Sequence, residues 1–337
     1  MRRWVARVFE PDTVNALAKS RNDFADNAHE MGYEYLNLQR YDSSTEDDVA
    51  MDARIDGMTS GIYNGDILVY QYPTYSGTRF DFEFARRLKG RGVHIIMMVH
   101  DFEILRFGDK GYDEIGYYNS ADVVIAANAP QRDKMREMGV TKPIVLHRCW
   151  DYLSETPVHE EPLTRDVVMA GSFIKSDLLS TWNQEMTLIA YGERRDYNDD
   201  SEISENVEYR GVFKEPEVMR RLPSCFGLAW DTGDMYGEYT RYNNPYKVGM
   251  YLARGLPVIA WRESAIAKLL TENGIGFGIN SLDEIKPLLQ GINDDELRDL
   301  QKRVQNFAQL LRTGYFTKRL LLESEAIIRT GGLHVEE

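Results

Sequence analysis

The stretch that decides the fold runs from Tyr239 to Ala260 and reads YTRYNNPYKVGMYLARGLPVIA. Its pattern predicts a loop, a helix, a tight turn and a strand. Asn244 is a favourable helix N-cap, and Pro245 suits the first helical position. Gly255 falls where a helix C-terminus favours a left-handed residue, and a short apolar run follows it. The face of the predicted helix that is buried carries apolar residues at helical spacing, namely Val248, Tyr251 and Leu252.

Lys247 lies in the first turn of this predicted helix, where the helix dipole disfavours a cation. A bound anion removes that conflict, because the free N–H groups, the dipole and the ammonium all attract it. Arg241, just upstream, offers a second cation. The stretch therefore predicts a diphosphate site, although an amphipathic helix with a solvated lysine explains the local sequence equally well.

The composition narrows the classes of partner. The chain has 337 residues and a formal net charge of −14, which argues against a nucleic-acid polymer or an anionic membrane as its main partner. A single nucleotide held by a few local cations stays compatible with that charge. Two cysteines, Cys149 and Cys225, allow neither a disulfide framework nor a cysteine zinc site.

The N-terminal residues MRRWVARVFEP lack the apolar core of a signal peptide. No segment approaches the roughly 20 apolar residues that a membrane span requires. We therefore expect no transmembrane segment and a cytoplasmic location.

Strands and helices alternate along the chain, which predicts parallel sheets with helices on both faces. One run of such units ends near Ile144–Leu146, and a second begins at Val167–Ala170. The charged, proline-containing residues 151–165 between them are interpreted as a linker. We expect an α/β protein with two Rossmann-like domains, 1–152 and 153–314, that face each other across a cleft. Ligands of such sheets bind beyond the carboxyl ends of the strands.

A turn of small residues follows the strand Val167–Ala170. Gly171 and Ser172 let backbone N–H groups approach a phosphate, and Lys175 adds a positive charge. An ordinary turn with a Ser or Asp helix cap is the alternative. The sequence contains neither a G-x-G-x-x-G nor a Walker A pattern, so an NAD site or a P-loop has no support.

The most apolar strand of the first half, His94–Val99, leads into His100 and Asp101. A histidine and two carboxylates, Asp101 and Glu103, at a strand's carboxyl end predict a general-base site, with a capped turn around a structural histidine as the alternative. Asp101 and Glu103 alone are too few ligands to predict a metal.

Two further polar segments are candidates for binding an acceptor. Asn22 and Asp23 belong to a polar cluster in the first predicted helix, for which a solvated face is the alternative. Tyr72 and Thr74 lie in a loop at the end of another strand, where aromatic rings can stack on a sugar or pack in the loop. Because no Asp-x-Asp occurs, we do not expect a metal-held diphosphate.

Taken together, these motifs resemble the GT-B glycosyltransferases. The resemblance is strongest to the branch that holds the second glucosyltransferase of serine-rich adhesin glycosylation and related β-1,6-galactofuranosyltransferases. It covers most of the chain and is absent from residues 42–60 and 193–206. The segments that carry it are Gln71-Tyr-Pro-Thr, Phe80-Asp81, His100-Asp101, Asn119-Ser-Ala-Asp-Val, Ala170-Gly-Ser, Asn244-Pro-Tyr-Lys and Leu252-Ala-Arg-Gly-Leu-Pro-Val-Ile.

The resemblance implies a metal-independent transferase that uses a UDP-sugar and no cofactor, with UDP in the second domain and the acceptor in the first. It also implies a homodimer or homotetramer, and a final helix, about 315–337, that packs back on the first domain. Asn244 and Lys247 match the diphosphate and ribose region, and Tyr239 and Arg241 match in position. The candidate donor-binding residues are Gly171, Ser172, Lys175, Tyr239, Arg241, Asn243, Asn244 and Lys247.

The expected reaction is transfer of a hexose, with glucose favoured, to a glycan or glycoprotein acceptor such as protein-linked N-acetylglucosamine. In that reaction His100 or Asp101 would act as the base of an inverting path. Three alternatives stay open: a galactofuranosyltransferase of polysaccharide synthesis, a non-catalytic GT-B partner subunit, and another UDP-sugar enzyme such as an epimerase.

Overall fold

The computed structural model describes residues 1–9, 16–174, 176–194, 203–231 and 237–331. The chain forms two compact units. One contains the first strand, Leu17–Arg148 and the residues from Phe316 onward, and the other contains Cys149–Tyr315. The change of unit therefore falls at Arg148, a few residues before the boundary expected from the sequence.

The first unit holds a six-stranded parallel sheet in the order β2-β1-β3-β4-β5-β6. Its strands are β1 (Arg3–Phe9), β2 (Glu34–Gln39), β3 (Ile67–Tyr72), β4 (His94–Val99), β5 (Val123–Ala126) and β6 (Ile144–Leu146). Its helices within the first half of the chain are α1 (Ala16–Glu30), α2 (Asp48–Met58), α3 (Thr78–Gly90), α4 (Glu103–Phe107), α5 (Glu114–Ser120) and α6 (Ala129–Glu137).

The second unit holds a six-stranded parallel sheet in the order β12-β11-β10-β7-β8-β9, which is the Rossmann order. Its strands are β7 (Val167–Ala170), β8 (Leu188–Tyr191), β9 (Val207–Tyr209), β10 (Phe226–Ala229), β11 (Val258–Trp261) and β12 (Gly276–Ile279). The helices that follow β7 are α7 (Leu178–Thr181), α8 (Glu217–Arg221), α9 (Tyr246–Arg254), α10 (Ala265–Glu272), α11 (Ile285–Gly291), α12 (Asp294–Arg312) and α13 (Tyr315–Thr330).

The core of each unit lies along its central strands. Every residue of β3 and β10 is buried, as expected for parallel strands with both faces covered. Such strands read as continuous apolar runs, which is why the sequence predicts them well. None of the described helices combines the length and the apolar character that a membrane span needs.

The last helix, α13, packs in the first unit. The carboxylate of Glu325, on α13, accepts hydrogen bonds from Tyr33 Oη at 2.8 Å and from Arg3 Nη1 at 3.1 Å. Arg319 also donates from Nη2 to the carbonyl oxygen of Leu146 at 2.6 Å. These long-range contacts attach the C-terminal helix beside β1 and β6.

Residues 151–165 are not a free linker. The indole Nε1 of Trp150 donates to the carbonyl oxygen of Asn244 at 2.8 Å, immediately before α9. Arg312, at the end of α12, donates to the carbonyl oxygens of Ser154 and Thr156 at 2.6 and 2.8 Å. The charge and the prolines of this segment suggested a linker, but its backbone carbonyls bind it to the second unit.

The structure contains short elements that the sequence pattern does not reveal. Helix α4 has five residues, and its first N–H groups, of Glu103 and Ile104, donate to the carboxylate of Glu114. A cap supplied from ten residues away leaves no local signal. Strand β12 reads GFGI, and glycine weakens the pattern of a strand.

The stretch around α9 follows the prediction with one correction. Helix α9 ends at Gly255 in the left-handed conformation with φ 94°, and Val248, Tyr251 and Leu252 are buried, as predicted. Pro245, however, occupies the N-cap position, and no side chain of the described residues caps the helix. Asn244 therefore lies one residue before the cap, because the proline takes an extended conformation there.

Candidate functional site

The second sheet changes strand order between β7 and β10, which pair directly through Phe226 with Val167 and Gly227 with Val168. Loops that leave neighbouring strands in opposite directions open a crevice at such a point. Gly171 follows β7, and a Cβ placed on it would lie 3.8 Å from Nζ of Lys247. The structure thus brings together the predicted glycine turn and the predicted cation.

The first turn of α9 is held at this crevice by Tyr251. The backbone N–H of Ala170 donates to Tyr251 Oη at 2.6 Å, beneath the end of β7. A Cβ on Gly227 would lie 2.4 Å from the Tyr251 ring. The ring can therefore pack against β10 only because residue 227 has no side chain. Tyr251 is one helical turn after Lys247 and therefore fixes the part of the backbone that carries the lysine.

Two glycines let the loops after β7 and β8 approach closely. A Cβ on Gly192 would lie 1.6 Å from the carbonyl oxygen of Gly171, and both residues have φ near +150°. Ser172 is exposed beside them, and its hydroxyl accepts a 3.4 Å hydrogen bond from the backbone N–H of Ile174. Lys175, the remaining candidate in this turn, lies outside the described residues.

Lys247 has a carboxylate partner that the sequence analysis did not identify. Its Nζ lies 3.1 Å from Oδ1 of Asp231, which follows β10 at the same crevice. The lysine side chain is 16% exposed and the aspartate 30%. Strand β10 ends at Ala229, so Asp231 lies in the segment that connects β10 to α9.

The segment before α9 offers a polar group that suits a ligand. Asn243 Oδ1 is buried and, within the described ranges, accepts no hydrogen bond. A buried acceptor without a donor is costly, so a hydroxyl donor from a bound ribose fits this position. Asn244 and Tyr239, close to Asn243 in the sequence, are also buried. The carbonyl oxygen of Asn244 accepts the hydrogen bond from Trp150.

Arg241 is engaged with two carboxylates. Its Nε donates to Glu238 Oε2 at 2.7 Å, its Nη1 donates to Glu263, and its guanidinium lies 4.3 Å from the centre of the Trp261 ring. A diphosphate would have to compete with both carboxylates for this side chain. The role of Arg241 as a second cation therefore stays a prediction, whereas Lys247 lies at the crevice.

In the first unit, His100 follows β4 and is oriented by Gln71 at the end of β3. The amide Nε2 of Gln71 donates to the carbonyl oxygens of Ala6 and Arg21 at 2.7 and 3.1 Å. Its Oε1 therefore faces Nε2 of His100, at 2.7 Å. Since an amide oxygen only accepts, Nε2 of His100 carries a proton and Nδ1 holds the lone pair.

The charge state of His100 follows from its burial. Burial lowers the pKa of His100 well below its usual value, and Arg21 and His147 lower it further. The imidazole is therefore neutral at pH 7. We conclude that the basic atom of a His100 base would be Nδ1.

Replacing Gln71 with leucine should release this tautomer. We expect ¹⁵N spectra of the wild type to show His100 protonated at Nε2 and those of the variant to show a mixture of both tautomers. The kcat/KM of the variant should be roughly tenfold lower, which corresponds to about 1.4 kcal/mol. The matched control is Gln301→Leu, since Gln301 donates to the carbonyl of Glu161 in the second unit. A wild-type His100 protonated at Nδ1 would contradict the assignment.

The two carboxylates after β4 both pair with Arg106, at different distances. Asp101 Oδ2 accepts from Tyr75 Oη at 2.8 Å and lies 2.9 Å from Nη1 of Arg106. Glu103 Oε1 is buried without a hydrogen bond in the described part of the chain, and it lies 3.6 Å from Nη1 of the same arginine. Burial and the charge of Asp101 raise the pKa of Glu103 to about 7, which suits proton transfer near neutral pH.

Glu103 is therefore a base candidate that the sequence analysis did not select over Asp101. Its position after an apolar strand was visible in the sequence. The burial that raises its pKa was not, because it depends on α4 and on Glu114.

The acceptor candidates have different outcomes. Tyr72 is fully buried, with its ring packed 5.0 Å from that of Tyr117, so the prediction that it stacks on a sugar is wrong. Thr74 is also fully buried, and its Oγ1 donates to Asp81 at 2.5 Å. These residues hold the loop in place because β3 is central and covered on both faces.

The polar cluster on α1 binds residues of the same unit. Asn22 Oδ1 accepts from Arg7 Nε at 3.2 Å, and Lys19 Nζ lies 3.0 Å from Asp23 Oδ1. Asp23 is buried and Asn22 is half-buried. Their roles with an acceptor stay predictions.

Asp81 lies beneath the loop after β3. From its raised pKa we expect the stability of the protein to depend on pH. Burial raises its pKa to about 6, against hydrogen bonds from Tyr70 and Thr74 that lower it. A raised folded-state pKa stabilises the fold fully below about pH 4, and that contribution is lost as the pH rises through about 6. Between pH 4 and pH 7, we expect the free energy of unfolding of the wild type, measured in urea, to fall by about 2.5 kcal/mol relative to that of Asp81→Asn. A difference that is constant with pH would contradict this.

The described residues hold no group of three or more His, Cys, Asp or Glu side chains arranged for a metal ion. The polar groups at the crevice of the second unit instead combine an ammonium, a helix N-terminus and close backbone turns. That combination is suited to an anionic ligand such as a diphosphate.

Comparison with known proteins agrees with this arrangement. Glucosyltransferase 3 of Streptococcus gordonii is 30% identical over 313 residues, which cover 90% of this chain and 92% of the relative. Glucosyltransferase 3 of Streptococcus parasanguinis is also 30% identical, over 96% of this chain and 98% of the relative. The β-1,6-galactofuranosyltransferase WbbI of Escherichia coli K12 is 26% identical, over 78% of this chain and 80% of the relative.

Among solved structures, an alpha-glucosyltransferase in complex with UDP matches with a TM-score of 0.64 at 11% identity. The match covers 98% of this chain and all of that one, and it confirms the GT-B fold class. The glucosyltransferase 3-like N-terminal domain matches residues 2–149, and the C-terminal domain of the same family matches residues 167–324. The protein is therefore a glycosyltransferase that belongs to the glucosyltransferase 3-like family.

Proposed function

We propose that the protein transfers a hexose, with glucose favoured, from a UDP-sugar to a sugar acceptor such as protein-linked N-acetylglucosamine. The observation that carries the donor assignment is the placement of the Lys247 ammonium beside Gly171 and the first turn of α9. Relatives named for glucosyl transfer, and a structural neighbour solved with UDP, support the same donor class.

The reaction is displacement at the anomeric carbon by an acceptor hydroxyl. The C–O bond to the diphosphate breaks, and UDP leaves with growing negative charge. Lys247 and the N-terminus of α9 bind that charge more strongly as it develops, which lowers the barrier. Asn243 Oδ1 accepts a hydrogen bond from the ribose.

The first unit supplies the acceptor site. On an inverting path, Nδ1 of His100 or the carboxylate of Glu103 removes the proton of the attacking hydroxyl. Asp101 is a less suitable base, because Tyr75 and Arg106 both bind its Oδ2. We propose a transfer without a metal ion, in which Lys247 and the N-terminus of α9 bind the diphosphate.

A galactofuranosyltransferase is the second candidate, supported by the relative WbbI. The two differ in the donor sugar and in the acceptor. A non-catalytic partner subunit is the third, and it would bind an acceptor without turning over a donor.

Thermal unfolding with a panel of nucleotides tests the proposal, with EDTA present throughout. UDP at about 100 times its Kd should add about 2.7 kcal/mol of stability, whereas GDP, ADP and NAD should add none. Incubation with UDP-glucose or UDP-galactofuranose and a glycan acceptor, read by mass spectrometry, then identifies the sugar. A chain that binds no uridine nucleotide would contradict the proposed function.

A further inference from the structure

The ion pair between Lys247 and Asp231 places a negative charge where an anion is expected to bind. Lys247 Nζ lies 3.1 Å from Asp231 Oδ1. The carboxylate, at 30% exposed, is the more accessible partner, so an incoming ligand can reach it and displace it. Asp231 thus satisfies the ammonium as a phosphate oxygen would.

The helix that carries Lys247 is anchored independently of this carboxylate. Helix α9 is anchored through Tyr251, which is fully buried and bonded to the backbone of Ala170. Gly227 makes room for the same ring. Asp231 therefore contributes charge to the crevice and is not needed to anchor α9.

A carboxylate in an anion site has a predictable energetic effect. A diphosphate must exchange with it for the ammonium, and like charges then stay close together in a partly buried environment. A neutral ligand makes no such exchange. Asp231 should therefore weaken the binding of UDP and have no effect on uridine.

We propose that Asp231 is a specificity-determining residue of the donor site that competes with the diphosphate for Lys247. This proposal rests on the proposed function. When UDP binds, the ammonium exchanges its carboxylate partner for phosphate oxygens and Asp231 turns to solvent. When UDP leaves, the carboxylate returns to the ammonium, so the competition favours release of the spent nucleotide.

Calorimetric titration of UDP, and NMR titration of uridine at millimolar concentration, test the proposal. For Asp231→Asn we expect UDP to bind about tenfold more tightly, equivalent to about 1.4 kcal/mol, with uridine binding unchanged. The matched control is Asp294→Asn, which removes the same charge from the ion pair with Arg165, at 2.9 Å. It should leave both affinities unchanged.

A double-mutant cycle tests the mechanism of the effect. In a Lys247→Met background the tenfold gain from Asp231→Asn should fall below threefold, because the ammonium being competed for is absent. Asp231→Ser serves as a second variant, and thermal unfolding checks that each variant folds.

The outcomes separate the two proposals. If wild type binds UDP and both Asp231 variants bind it equally well or less tightly, the competition is wrong and the donor site stands. If uridine gains as much affinity as UDP, the effect is not electrostatic and the inference is wrong. If wild type binds no UDP, the donor site itself is wrong.

Discussion

Replacing Lys247 with alanine should lower kcat/KM for the UDP-sugar by about 100-fold or more, equivalent to roughly 3 kcal/mol of transition-state stabilisation. The ammonium lies beside Gly171 at the switch point of the second sheet, on the first turn of α9. Tyr251 anchors the helix that carries it. The interaction of the ammonium grows as the diphosphate gains charge, so most of the loss should fall on kcat.

The control for this substitution is Lys268→Ala on α10, where the lysine side chain is 78% exposed and pairs with Glu272. It removes the same charge and should leave the initial rates unchanged. Lys247→Arg should recover part of the activity, because it restores a cation without restoring the same geometry. Near wild-type turnover by Lys247→Ala would overturn the assignment of the diphosphate site.

The parts of the site that the sequence predicts are local ones. Helical spacing, Gly255 and the apolar run after it define α9 and β11, and Lys247 is conspicuous because it sits in the first helical turn. The small residues Gly171 and Ser172 stand out because they follow a strand. Each of these signals lies within about ten residues.

The parts that the sequence does not predict depend on which strands are neighbours. Gly171 meets Lys247 because β7 lies beside β10, and Gln71 meets His100 because β3 pairs with β4. Spacing along the chain carries no record of either pairing. The same limit explains Tyr72, whose aromatic ring suggested sugar binding. The sheet order shows that β3 is a central strand, which is why the ring is buried.

The remaining differences arise from turns and caps. Pro245 takes the N-cap position in place of Asn244, and Glu114 caps α4 from the next helix. No sequence pattern indicates that Gly192 contributes to the site. Its closeness to Gly171 exists only once β7 and β8 are paired.

Replacing Gly192 with alanine should damage the donor site without removing any of its side chains. The new Cβ would lie 1.6 Å from the carbonyl oxygen of Gly171, and its backbone φ of +145° is one that a residue with a side chain rarely adopts. Backbone cannot rotate away as a flexible side chain can, so the turn that carries Gly171 must shift. We expect the free energy of unfolding to fall by about 3 kcal/mol and the Kd for UDP to rise at least tenfold.

Gly211→Ala separates the clash from the backbone conformation. Gly211 has φ +91°, a Cβ placed on it would meet none of the described residues within 4 Å, and its carbonyl oxygen accepts the hydrogen bond from the Gly192 N–H. The substitution should therefore cost only the strain of its dihedral angle, about 1–2 kcal/mol, and leave UDP affinity within threefold. Urea unfolding and calorimetry of both variants measure the two effects. If Gly192→Ala behaves like Gly211→Ala in both measurements, the close approach of the two turns does not shape the donor site.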